Sequence, residues 1–426
     1  MVRVLSEHPS ESVPEATSGA SESQSIYRFW SNEQVKSSQI LESHRAAVVA
    51  RGHQAGVVLA IQDTTDFNFS SHRHTQGLGF INQSEQQGIK VHSCLAVSGA
   101  GEPLGLLSQF CWVRAQRSGK RGQRRKLPIE QKESYRWLQS AAAAEQGFSS
   151  EVQVIHIGDR EADIFELFAQ PRRPNSELLI RATHNRKVRH ELDYLLPTLN
   201  QSPILGSICL ELERNPTRPA RTAHLQLRAL QITLEVPRNH PKPHSLKPVT
   251  LNAILVEEPV LPADGSPPIR WLLLTTLAIE TFEQAWQCVQ WYALRWLIER
   301  FHYTLKSGCR FEQLQLQTQA RLLNALATYA IVAWRLMSLT YQARLNPDAP
   351  CDGVLQPGEW RLLRRKFEPK NRSRKIPTLH QAIVWIARLG GFLARKGDGE
   401  PGLKTLWRGI GVLHHLLEGA QLATKT

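Results

Sequence analysis

Val57-Val58-Leu59-Ala60-Ile61-Gln62-Asp63 and Val152-Gln153-Val154-Ile155-His156-Ile157-Gly158-Asp159 carry the fold of this chain. Each stretch is a short apolar run of strand length, the kind that is buried on both faces of a sheet. Each ends on a carboxylate. In open α/β sheets, functional groups gather where strands end.

Working outward, two further strand-like runs follow the first, near Ile89–Val97 and Leu104–Val113, and a helix is expected over Ile129–Gln146. After Asp159 the sequence predicts a helix over Glu161–Phe168 and a strand from Leu178 to Arg181. Three strands, a helix, a strand, a helix and a strand are the order of a ribonuclease-H-like mixed α/β sheet, which is the expected fold class. From 187 to 270 short β-type runs alternate with Pro-rich turns, at Ile204–Leu212, His224–Val236 and Val249–Val256. They predict an inserted β subdomain. Trp271-Leu272-Leu273-Leu274-Thr275 returns to the core, and one long helix is expected over Phe282–Lys306. The expected division is a disordered segment 1–25, a catalytic core in two parts (26–186 and 271–345) around the insertion 187–270, and a helical C-terminal region 346–426. A short polar helix is expected near Asn32–Arg51.

Composition narrows the class. An apolar share of 41% and a charged share of 21% are those of an ordinary globular protein with a large core. The net charge of +14 points to a polyanionic partner; a ribosome-bound or membrane-surface protein would share it. Cys94, Cys111, Cys209, Cys288, Cys309 and Cys351 show no Cys-x-x-Cys zinc spacing and no apolar leader precedes them, so reduced thiols in a cytoplasmic, nucleoid-associated protein are expected. Leu322–Leu339 is the most apolar long stretch. Asn324, Thr328 and Arg335 interrupt it, so it reads as a buried helix, and no membrane partner is expected.

The candidate residues each have a plainer reading. Asp63 could close a turn, and Asp159 could N-cap a helix. Glu299 could be half of a solvated Arg–Glu pair. Yet Tyr292, Arg295, Glu299 and Lys306, at offsets of 3, 7 and 14, fall within about 60° of one another on a helix. Trp291, Trp296, Ile298 and Phe301 crowd the same helix, so the polar stripe is expected to line a cleft.

The spacing Tyr-x2-Arg-x3-Glu-x6-Lys, the strings Ile61-Gln62-Asp63-Thr64-Thr65 and Asp159-Arg160-Glu161-Ala162-Asp163-Ile164, and Trp271 placed 21 residues before Tyr292 occur together here. In these the chain resembles the transposon-five type of cut-and-paste transposase, in the insertion-sequence-four family of DDE enzymes. Arg218-Pro219-Ala220-Arg221 and Leu251-Asn252-Ala253 in the insertion are similar too, and the resemblance runs from Ile26 to Glu418. It implies that Asp63, Asp159 and Glu299 hold two Mg²⁺ ions, with Mn²⁺ able to substitute. Such a pair of ions can activate water and stabilise a departing alkoxide, and carboxylate oxygens suit a hard cation.

The resemblance further implies DNA contacts. Trp271 would accept an unstacked base, though it also reads as plain core packing. Tyr292, Arg295, Lys306 and Arg181 would hold phosphates, with His184 and Arg186 as weaker candidates. The expected partner is double-stranded DNA, as transposon ends and target, bound by a homodimer. Two basic runs, Arg114–Lys126 and Arg361–Lys375, are either solvated charge or backbone contacts. Only 62 residues precede Asp63, so the end-binding domain of the family is expected to be largely absent. A truncated copy that binds DNA and inhibits transposition is therefore a rival reading. A general metal nuclease without strand transfer is another, and Trp271 with the Tyr–Arg–Lys stripe argues against it.

Overall fold

The computed structural model describes residues 1–82, 85–115, 127–212, 219–240, 245–370, 373 and 375–423. A ten-stranded mixed sheet runs through it. Its first half comprises β1 (Val57–Asn68), β2 (Gly79–Phe80), β3 (Gln87–Ser98), β4 (Pro103–Trp112), β5 (Gln153–Gly158) and β6 (Ser176–Arg181). Its second half comprises β7 (Gly206–Leu212), β8 (Arg221–Leu234), β9 (Val249–Glu257) and β10 (Arg270–Thr275). The order is β2-β3-β1-β5-β6-β10-β9-β8-β7, and β4 also pairs with β3. β1 runs antiparallel to β3 and parallel to β5, and β5 runs parallel to β6. This is a ribonuclease-H-like mixed sheet.

The parallel centre explains the apolar runs. Val58 to Ile61 and Val154 to Ile157 are buried because both faces of these strands are covered. The Pro-rich segment expected as an insertion contributes β7, β8 and β9, and these strands continue the main sheet. β9 pairs antiparallel with β10 over six residues, from Arg270↔Glu257 to Thr275↔Asn252.

The amino end corrects the expectation of disorder in residues 1–25. Three helices stand there, α1 (Val2–Glu7), α2 (Val13–Ala16) and α3 (Ala20–Ser31). Their composition is polar, but the few apolar residues recur on one face. Leu5, Val13, Ala16, Ile26 and Trp30 are all buried in the main core. Ser12 and Glu15 form a capping box on α2. The Trp30 indole donates to Thr328 Oγ1 at 3.1 Å, on the central core helix. A further helix, α4 (Ser37–Ala55), precedes β1.

Next in chain order come α5 (Tyr135–Ala144), α6 (Phe165–Ala169) and α7 (Leu195–Gln201). The helix expected over Phe282–Lys306 is three pieces: α8 (Phe282–Ala293), α9 (Trp296–Tyr303) and a π-helical turn over Thr304–Gly308. The break falls at Leu294 and Arg295, whose amides bond carbonyls three residues back, at Trp291 and Tyr292. Both residues stay in the right-handed helical region, so neither Gly nor Pro is needed and no breaker marks the site in the sequence.

The helix α10 (Gln319–Leu345) is long and apolar enough to cross a bilayer, but most of it is buried in the protein as the central core helix. Beyond it lie α11 (Pro357–Phe367), α12 (Leu379–Leu389) and α13 (Leu403–Ala423). α12 and α13 touch backbone to backbone. A Cβ on Gly409 would lie 1.8 Å from the Ile386 carbonyl oxygen, so only glycine fits that crossing.

Candidate active site

β1 does not end at Asp63. It continues to Asn68, paired with β3 from Asp63↔Ser93 to Asn68↔Gly88. Its other edge is different, because the β5 pairing stops at Ile61↔Ile157. Asp63 and Asp159 each lie two residues past that last pair, where the two parallel strands part. Asp159 caps the 3₁₀ turn Arg160–Ala162, and its Oδ1 accepts from Glu161 N at 2.8 Å. The plainer role expected for Asp159 is thus real, and it uses one of the two oxygens. Gly158 sets the approach of this turn: a Cβ there would lie 2.4 Å from the Ala162 Cβ.

Glu299 reaches the same place from α9. Leu297, Ile298 and Phe301 of that helix are buried in one cluster with Leu59, Ile61 and Phe67 of β1. Burying each such side chain is worth about 1.5–3 kcal/mol, enough to hold the helix over the strand. Glu299 stays exposed, and its Oε1 accepts from Arg295 Nη2 at 2.5 Å.

The electrostatics tie these groups together. The Asp63 carboxyl is pushed up to about 7, chiefly by burial and further by the negative charges of Asp159 and Glu299. The Thr64 amide, donating to Asp63 Oδ1 at 2.8 Å, and the Arg295 guanidinium pull the other way. Asp159 and Glu299 lie close enough for their charges to act on Asp63, and an all-carboxylate set of oxygen donors suits a hard divalent cation.

The polar stripe is split by the break at Leu294. Tyr292, in the last turn of α8, is buried with its hydroxyl making no hydrogen bond among the described residues; burial raises it above the usual phenol range, and the Arg295 and Arg181 charges oppose this. Trp271, half-buried on β10, stands edge-on to Tyr292, with ring centroids 5.2 Å apart at 73°. Arg181 ends β6 opposite Leu273 of β10. Lys306 sits apart from that group, in the π-helical turn. Its ammonium lies 5.5 Å over the ring of Phe67, further along β1 from Asp63.

His302 is a neighbour the sequence reading missed. Its Nδ1 lies 3.8 Å from Asp63 Oδ2. Burial, and then the Lys306 charge, hold its imidazole down to about 3, so it is neutral. Its position three residues after Glu299 on one helix was the available signal. A second layer lies under β1. His92 Nδ1 is 2.9 Å from Thr64 Oγ1 and its Nε2 is 3.1 Å from Gln62 Oε1. Arg136 Nε donates to Thr64 Oγ1 at 2.9 Å.

The weaker phosphate candidates have other duties. The Arg186 guanidinium donates to Asp163 Oδ1 at 2.8 and 2.5 Å. Oδ2 of the same buried carboxylate accepts from the amides of Thr183 and His184. Arg186 therefore anchors the loop after β6, and the His184 backbone is engaged in the same knot. Of the basic runs, Arg114 is paired with Glu133, and Arg364 donates to the Ser373 carbonyl at 2.7 Å. Arg117, Lys120, Arg121, Arg124, Arg125, Lys126, Arg372 and Arg374 lie outside the described residues, as does Arg218.

Two carboxylates where parallel strands part, with a third on the helix packed over β1, sit on a ribonuclease-H-like sheet. Residues 70–335 match the family model of the transposase DDE domain, residues 331–426 that of the transposase Tn5 dimerisation domain, and residues 1–35 that of the transposase DNA-binding domain. This chain belongs to the DDE transposase family and is of the Tn5 type. It is a DNA transposase, a DNA-cleaving and strand-transfer enzyme carrying DNA-binding and dimerisation segments. Asp159 and Glu299 fall inside the DDE match, and Asp63 falls just before it.

Proposed function

We propose that this chain performs cut-and-paste transposition, with Asp63, Asp159 and Glu299 as the ligands of two divalent ions, Mg²⁺ by preference with Mn²⁺ able to substitute. The placement of Asp63 and Asp159 where β1 and β5 part, with Glu299 carried over β1 by α9 and close enough for its charge to act on Asp63, is the observation that supports this reading. When bound, the paired ions supply an activated water and neutralise charge on the departing oxygen. Arg295 holds Glu299 in place through its guanidinium. The neutral His302 packs against Asp63 without adding charge.

The first hydrolysis frees a 3′-hydroxyl, which attacks the opposite strand and closes a hairpin. A second hydrolysis reopens it, and the freed end joins target DNA. Hairpin closure bends one strand sharply, so a base must leave the stack. Trp271 is half-buried beside Tyr292 and Arg181, which supports it as the platform for that base; base–aromatic stacking is worth about 1–3 kcal/mol. Arg181, Tyr292, Arg295 and Lys306 take phosphates of the distorted strand. Binding is to both transposon ends in a homodimer, and the protein works in the cytoplasm, on the nucleoid.

The test is cleavage of linear DNA carrying the sequences that flank this gene, with Mg²⁺, resolved on denaturing gels. Nicked, hairpin and blunt products appearing in that order support the proposal. Nicks without hairpins at any time point favour a plain metal nuclease.

A further inference from the structure

The first and last helices meet far from the DDE cleft in chain position, at a cluster of imidazoles and carboxylates. We propose that His8, Glu11 and His415 form a second cation site, which takes a borderline transition ion such as Zn²⁺ and staples the amino end to α13. Ligand atoms of the three residues all lie within 4.8 Å of one another. His8 Nδ1 is 3.2 Å from Glu11 Oε2, and His415 Nε2 is 2.8 Å from Glu11 Oε1. Two ligands at bond lengths of about 2.0–2.1 Å on a tetrahedral ion stand roughly 3.3 Å apart, which the His8–Glu11 separation matches; the shorter His415–Glu11 contact is a hydrogen bond that an ion would replace.

Burial gives an independent reason. His8 is 4% exposed. Its Nδ1 and the facing Glu11 Oε2 are both buried, and neither makes a hydrogen bond among the described residues. Such atoms cost free energy unless something engages them. The other two ring nitrogens face a fourth residue. Glu418 places Oε1 3.4 Å from His8 Nε2 and Oε2 3.7 Å from His415 Nδ1. A carboxylate on the far nitrogen of a ligating imidazole fixes its tautomer and raises its basicity. Glu418 is thus a positioning residue for both rings. Two imidazoles and a carboxylate are a ligand set for Zn²⁺, unlike the all-carboxylate DDE cleft. His414 packs beside His8, ring centroids 5.9 Å apart, and its Nε2 is spent on Glu359, 3.2 Å distant.

His8 and Glu11 lie in the DNA-binding match, and His415 and Glu418 in the dimerisation match. An ion here would therefore tie those two segments within one chain.

The experiment uses the full chain, stripped with EDTA and titrated with Zn²⁺ or Co²⁺, beside a variant in which Asp63, Asp159 and Glu299 are all Ala. Expected are one tightly held Zn²⁺ per chain that the triple variant keeps, and intense visible Co²⁺ absorption of tetrahedral type. His415→Ala, at a half-exposed position that tolerates truncation, should lose both. Glu11→Gln should weaken binding, and Glu418→Gln should weaken it roughly tenfold. Zn²⁺ should also slow amide exchange in α1 of the wild type and not of His415→Ala. Zn²⁺ affinity unchanged in His415→Ala, or abolished by the triple variant, would overturn the proposal and leave the cluster as an ion-pair network.

Discussion

Asp63 should be a stability liability in the metal-free protein. Its carboxyl stands at about 7 in the fold against 3.8 ordinarily. Below 3.8 both folded and unfolded chains keep the proton, and the group contributes nothing. Between 3.8 and about 7 the unfolded chain has ionised while the folded one has not, so the unfolded state binds fewer protons and stability falls as pH rises. Above about 7 the cost is complete, on the order of 4 kcal/mol for a displacement of that size. Asp63→Asn removes the charge and keeps the oxygen that accepts from Thr64 N. In EDTA near pH 8 it should raise the unfolding free energy by a few kcal/mol, and the gain should shrink steadily as pH falls toward 4. Urea unfolding of both proteins across that range reads this directly. Millimolar Mg²⁺ should reverse the order, because an ion bound only by the folded wild type stabilises it by mass action. An Asp63→Asn protein no more stable than wild type in EDTA near pH 8 would refute a raised, buried and under-compensated Asp63 carboxyl.

Trp271→Ala should allow the first nick and slow hairpin formation, since a stacking platform acts only once the strand bends; equal slowing of both steps on a single-turnover gel would make Trp271 a packing residue. Arg186→Ala leaves the buried Asp163 carboxylate without its cation and should cost about 3–5 kcal/mol in denaturant unfolding. If stability were kept and DNA affinity lost, Arg186 would be a phosphate contact after all. Ile383, Ile386, Leu406, Ile410 and Leu413 pack within the chain, whereas Leu393, Val412, Leu416 and Leu422 stay exposed. We expect a monomer or weak dimer that becomes a stable dimer on two DNA ends, by light scattering; excision by a strictly monomeric complex would contradict this.

The sheet was legible because its centre is parallel. Strands buried on both faces must be written as unbroken apolar runs, and a carboxylate closing such a run is conspicuous. The helix break at Leu294–Arg295 was hidden because both residues remain helical in backbone, leaving no Gly or Pro to mark it. Across that break Tyr292 is buried while Glu299 stays exposed. The amino end misled through composition: a Ser- and Glu-rich segment was expected to lack a core, yet five well-spaced apolar residues suffice when α10 supplies the rest. Arg186 shows the limit of reading single cations. Its partner Asp163 lies 23 residues earlier, a pairing only the fold makes.

Asp63, Asp159 and Glu299 are proposed to act as one metal-holding unit. Cleavage by Asp63→Ala, Asp159→Ala, Glu299→Ala and the triple variant should be measured on the same end DNA with Mg²⁺, then with Mn²⁺. Ligands that share ions fail together, so each single variant should be as inactive as the triple while keeping the wild-type fold by circular dichroism. Near-normal cleavage by any one of the three would remove that residue from the site and contradict the account.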